Sequence, residues 1–146
     1  MEIAPLGFTQ DFAIYDTADQ QALIKEVMAN LKLSLEGVTS RSVRSRISLL
    51  KNQMESPGKA ADAASSPFEE IVAKVFLAYV NALKKNNALD FDDLLLYPLS
   101  LFDQYPKVRA KYQKKFKYVL VDEYQDTNRP QFLFVKALTE NDNQIC

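Results

Sequence analysis

Histidine is absent from the 146 residues, and the one cysteine is Cys146. Without histidine there is no imidazole to ligate a metal or to serve a Ser-His or Cys-His nucleophile, so those chemistries are excluded within the chain. One thiol cannot build an internal disulfide framework, which suits a reducing compartment such as the cytoplasm. Glycine is nearly as scarce. Gly7, Gly37 and Gly58 are the whole complement, and none belongs to a G-x-x-x-x-G-K-S/T loop of the kind that cradles phosphates. No apolar run reaches 18 residues and no basic-then-apolar leader is present, so neither membrane insertion nor secretion is expected. Charge is almost balanced, with 18 Lys and Arg against 19 Asp and Glu. Any nucleic-acid binding must then come from a local basic patch rather than from the overall field.

What is present is globular in character: 47% hydrophobic and 25% charged residues, in a length that suits one ordinary domain. Its most informative stretch is Tyr118-Val119-Leu120-Val121, which runs straight into Asp122 and Glu123. An unbroken run of apolar, mostly β-favouring residues reads as a strand buried on both faces of a parallel sheet, residues 117–121. Ligands of such sheets gather at the carboxyl ends of the strands. An acidic pair there fits nucleoside triphosphate hydrolysis, one carboxylate serving Mg²⁺ and its neighbour the attacking water.

Asp122-Glu123-Tyr124-Gln125-Asp126-Thr127-Asn128 resembles, residue for residue, the Walker B segment (motif II) of the UvrD/PcrA/Rep-like superfamily I DNA helicases. Leu89-Asp90-Phe91-Asp92-Asp93-Leu94-Leu95 and Phe12-Ala13-Ile14-Tyr15-Asp16-Thr17 look like earlier landmarks of the same family. The resemblance implies ATP-driven translocation on single-stranded DNA with unwinding of duplex DNA. It implies Asp122 as the Mg²⁺ ligand and Glu123 as the catalytic base or water-orienting carboxylate. Gln125 and Asp126 fall in a network linking nucleotide state to DNA contacts. Because the family's P-loop lies upstream of the matched region, an internal portion of a longer helicase is expected. That portion would bind ATP and Mg²⁺ poorly by itself, and would work with the remaining helicase subdomains. Two other readings stay open: a stand-alone, non-catalytic helical module binding DNA or protein, and a portion of a helicase–nuclease subunit.

The expected fold is mainly α, with a helical insert (subdomain 1B-like) over residues 1–116 and a partial RecA-like segment (1A-like) over 117–146. After an irregular lead-in at 1–11, Thr17 and Gln20 fit a capping box that opens a helix over about 18–32. A second helix, about 40–54, buries Val43, Ile47, Leu50 and Met54 and leaves Arg41, Arg44, Arg46 and Lys51 on its remaining surface. Residues 55–66 read as a loop around Pro57-Gly58. Ser66-Pro67 opens a long helix to about Lys85. Asp90 caps the next, where Pro98 should kink or split the pattern, and Asp92 and Asp93 favour the helix dipole. Pro106 opens a basic helix ending about Lys115. Thr127 or Asn128 caps a helix over about 129–139, Asn141-Asp142-Asn143 turns, and Gln144-Ile145-Cys146 begins a further strand. Solvated faces explain most basic residues; those that could contact DNA phosphates are Arg41, Arg44, Lys111, Lys114 and Lys115.

Overall fold

The computed structural model describes residues 3–140 and the backbone of residues 144 and 145. Asn141-Asp142-Asn143 and Cys146 lie outside the described residues, and with them the turn expected at 141–143. The chain is mainly helical, with two short parallel strand pairs. Strand β1 (Ala13–Tyr15) leads into α1 (Thr17–Asn30), α2 (Ser40–Asn52), α3 (Pro57–Asp62) and α4 (Pro67–Lys85). Strand β2 (Ala88–Asp90) then pairs in parallel with β1, Ile14 opposite Leu89. Beyond it come α5 (Asp93–Gln104), α6 (Pro106–Lys115), β3 (Tyr118–Val119), α7 (Arg129–Thr139) and β4 (Gln144–Ile145). β3 and β4 form the second parallel pair, Tyr118 opposite Gln144.

Among the described residues, two buried clusters form the core. In the larger, α1, α2 and α4 bury Ile24, Val43, Ile47, Val75, Phe76 and Tyr79 almost completely. Burial of side chains of this size stabilises by roughly 1.5–3 kcal/mol each. α4 supplies the widest apolar stripe, and its Ser66 hydroxyl accepts the Glu69 amide, as its Ser-Pro start anticipates. In the smaller core, Ile3, Phe8 and Leu89 pack with Leu94 and Tyr97, Phe8 meeting Tyr97 edge-on at 4.9 Å. Beyond it, Phe102 stacks on Phe134 at 5.9 Å, joining α5 to α7.

Several local expectations change. The lead-in is structured: Ala4–Leu6 form a 3-10 turn, and Ile3 and Phe8 are buried. Asp16, not Thr17, caps α1. Its Oδ1 accepts the Ala18 and Asp19 amides at 2.8 and 2.9 Å, and Asp19 reaches back to the Asp16 amide. An ionised acceptor outcompetes a hydroxyl at that end of a helix dipole. The 55–66 stretch contains α3, started by Ser56 and Pro57 and packed on α4. α5 runs through Pro98 without a break. Among the described residues, Tyr118 and Val119 of the 117–121 run are paired, and Tyr118 and Leu120 are 68% and 80% exposed. Among the described residues β3 has one neighbour, β4, and that leaves an edge and much of its faces open.

The largest correction concerns Lys51, expected on a solvated face and in fact 3% exposed. Val43, Ile47 and Lys51 lie on one ridge of α2, four residues apart, so the stripe that buries the first two buries the third.

Candidate functional site: the acidic turn after β3

β3 ends at Val119, and the chain passes through Leu120 and Val121 into the two acids. Glu123 adopts φ 51° and ψ 43°, the left-handed region. A side chain there costs about 1–2 kcal/mol. The consequence is a sharp reversal into a 3-10 turn, Tyr124–Asp126, closed by the Asp126 amide donating to the Glu123 carbonyl at 2.9 Å. The reversal keeps Asp122, Glu123, Gln125 and Asp126 on one exposed turn. The Glu123 amide donates to Asp122 Oδ1 at 2.9 Å, and Gln125 Nε2 donates to Glu123 Oε2. The four candidate residues of this stretch are therefore brought together.

Asn128 fixes the turn's exit. Its Oδ1 accepts the Gln131 amide at 3.0 Å while Gln131 Oε1 accepts the Asn128 amide at 2.9 Å, a reciprocal cap on α7. The acids face an open cleft of about 450 Å³ between β3, α5 and α7, floored by Leu95, Val119, Phe134 and Val135. Among the described residues no three His, Cys, Asp or Glu side chains gather as a metal cage. The oxygen-only donor pair fits Mg²⁺ nonetheless, since that ion takes one or two carboxylates and fills its shell with water and phosphate oxygens.

The basic candidates are placed elsewhere, on two helices. Arg41 is exposed and Arg44 half-buried on α2, and the buried Arg44 Nε has no hydrogen-bond partner among the described residues. Lys111, Lys114 and Lys115 are exposed along α6, with Lys111 and Lys115 lying over the Tyr112 and Phe116 rings. Their neighbour Arg109 is a structural strut: its Nε donates to the Ala137 carbonyl at 3.0 Å and its guanidinium pairs with Glu140.

Sequence reasoning missed a polar cluster behind the acidic turn. Lys51 Nζ reaches Asp90 Oδ2 at 2.6 Å and Asp93 Oδ1 at 2.8 Å. The Tyr79 hydroxyl donates to Asp90 Oδ2 at 3.0 Å. Asp90 and Asp93 each accept the other's amide, so Asp90 serves the start of α5 from within β2. Burial pushes the Asp93 carboxyl up to about 6, the Lys51 ammonium opposing and the Asp90 charge reinforcing the rise. Burial likewise raises the Tyr79 hydroxyl, and takes Tyr97 up to about 12. One signal was available: a lysine in register with Val43 and Ile47 needs a buried counter-charge, and the acids of 90–93 are candidates.

The UvrD/REP helicase N-terminal domain family matches residues 1–146. The chain is 39% identical over 145 residues to "ATP-dependent DNA helicase PcrA" of Bacillus subtilis (strain 168), covering 99% of this chain and 20% of that protein. Proteins of the same name from Staphylococcus aureus (strain MRSA252) and Leuconostoc citreum are 38% and 39% identical over 141 residues, 97% of this chain and 19% of each relative. The chain thus spans about a fifth of the length of the curated relatives it matches. From residue 1 to residue 146, this chain belongs to the UvrD/REP helicase N-terminal domain family.

Proposed function

We propose that this chain contributes the hydrolytic acids of an ATP-dependent DNA helicase, which couples ATP hydrolysis to movement on single-stranded DNA and to duplex unwinding. The observation that carries the reading is the exposed Asp122-Glu123 pair at the carboxyl end of a strand in a parallel pair, facing a cleft. Asp122 would hold a Mg²⁺ ion, whose charge would neutralise the phosphates. Glu123 orients the attacking water and accepts its proton. Gln125, hydrogen-bonded to the Glu123 carboxylate, and Asp126 relay changes at the nucleotide to the rest of the motor. Residues 1–116 act as the helical insert and 117–146 as part of the motor domain, working with the remaining helicase subdomains in the cytoplasm. The names of the PcrA relatives, and the match of the 122–128 segment to motif II, support the same reading.

Phosphate grip comes mainly from the amides and lysine of a P-loop, and this chain contains no such loop. The isolated chain is therefore expected to turn over no ATP. In a polypeptide that joins it to a P-loop-bearing segment, Glu123→Gln should leave nucleotide binding intact and lower turnover by about 10²-fold or more. Loss of binding and turnover to the same extent would refute the role given to Glu123.

A further inference from the structure

Asn52 ends α2 next to the buried Lys51, and its half-buried side chain spans two separate parts of the chain. Its Nδ2 donates to Asp92 Oδ1 at 3.0 Å and to the Ser48 carbonyl at 2.8 Å. Its Oδ1 accepts from Asn128 Nδ2 at 2.6 Å, across 76 residues of sequence. Asn128 is the cap of α7 and the last residue of the acidic segment. We propose that Asn52 is a positioning residue. Its amide ties the exit of the 122–128 turn to the 90–93 turn, and so holds Asp122 and Glu123 at a fixed place against the helical body.

Asymmetry of the bonds supports the assignment. Asp92 can only accept, and Asn128 offers its remaining donor once its Oδ1 is committed to the Gln131 amide. The bridging residue must therefore donate on one side and accept on the other, which a primary amide does and a carboxylate, lysine or aliphatic side chain does not. Lys51 anchors the base of this bridge one residue away, in ion pairs with two acids that flank Asp92 on either side. The acidic turn itself is exposed and follows a two-residue strand, and its exit enters α7, which packs on α5 and α6; the Asn52 bond fixes the junction between the two. That the turn so held faces the nucleotide rests on the function proposed above.

The bond pattern also supplies its own test. Asn52→Asp removes the donor and sets a second carboxylate against Asp92. Adding Asp92→Asn reverses the bond, the new amide at 92 donating to the new carboxylate at 52, while Asn128 still finds an acceptor. Amide exchange of the 146-residue chain, followed by mass spectrometry without nucleotide, should be about five- to tenfold faster at residues 128–132 in the single variant. It should return to the native rate in the double variant, with Val75–Leu83 unchanged in both. Native exchange in the single variant, or equal acceleration in single and double, would overturn the tether. In the polypeptide joined to a P-loop segment, the single variant should lower kcat about tenfold at unchanged KM for ATP, and the double should restore it. A native kcat alongside accelerated exchange would overturn the positioning role. Because exchange is read without nucleotide, failure of the tether and failure of the proposed function give separate results.

Discussion

Replacing Lys51 with methionine keeps most of its alkyl stem and removes only the ammonium. Asp90 and Asp93, 2% and 5% exposed, are then stranded without a counter-charge. At an effective dielectric constant near 20, each contact, 2.6 and 2.8 Å long, is attractive by roughly 6 kcal/mol, most of it offset by desolvation of the three groups. Removing one partner leaves the desolvation without the attraction, so Lys51→Met should cost about 3–5 kcal/mol. That is a large share of the roughly 5–15 kcal/mol expected of a whole domain. The loss should depend on pH, and its sign follows from Asp93. The folded carboxyl is raised from 3.8 to about 6, so between those values the native state holds a proton that the unfolded chain has released. This contribution to stability is complete below about pH 4 and is lost as pH rises through about 6. Without the ammonium, which pulls the Asp93 value down, the proton is held to still higher pH. Protonation then relieves the stranded charge, and the cost of Lys51→Met should be smaller at pH 5 than at pH 8. Urea unfolding followed by circular dichroism at the two pH values measures both numbers. A loss below about 1 kcal/mol at pH 8, or an identical loss at both, would refute the account of the cluster as a buried, counter-charged unit.

Two further outcomes are expected. If α6 contacts phosphates, replacing Lys111, Lys114 and Lys115 together with alanine should reduce the slope of log affinity for single-stranded DNA against log salt by about 2, near 0.7 per lost contact. An unchanged slope would return that helix face to simple solvation. Amide exchange in the monomer should be slow at Val75–Leu83, in the middle of α4, and fast at Tyr118–Val121, where pairing extends over two residues. Equal protection of the two segments would show that the β3 region is far better supported than its pairing indicates.

Legibility in the sequence tracked the range of the interaction. The starts of α4 and α6, at Ser66-Pro67 and Pro106, were readable because a cap or an N-terminal proline acts within one turn. α7 was readable for the same reason, with Asn128 and Gln131 only three residues apart. The acidic turn was readable because its residues are contiguous. Lys51 was not, since its partners lie 39 and 42 residues away and only folding brings them within reach. The choice of Asp16 over Thr17 fell between these cases. Both can cap, and a one-residue shift was decided by the stronger, charged acceptor. Of the kink or split expected at Pro98, the split does not occur: α5 continues to Gln104. A proline removes one hydrogen bond near the Leu94 carbonyl, but Leu101 and Phe102 beyond it are buried within the same helix.

The chain carries two groups of acids that look alike as sequence, Asp90-Phe91-Asp92-Asp93 and Asp122-Glu123, and the fold places them in opposite surroundings. In the first, Asp90 and Asp93 are buried, share one lysine and one another's amides, and Asp90 takes a tyrosine hydroxyl as well. With Lys51, the Tyr79 hydroxyl and the two amides engaged by these carboxylates, a cation or substrate entering there would have to displace ion pairs in a buried site, where lost partners are most costly. In the second, the acids are exposed, their protein partners among the described residues are one backbone amide and one glutamine, and the left-handed Glu123 turns them toward an open cleft. Such carboxylates keep coordination capacity in reserve, and a Mg²⁺ ion with its phosphates needs just that. What separates the buried cluster from the pair to which the proposed function assigns chemistry is thus the balance of donors around each. The Asn52 bridge links Asp92, which lies between the two buried acids in sequence, to Asn128 at the exit of the exposed turn, the connection on which the positioning role proposed above rests.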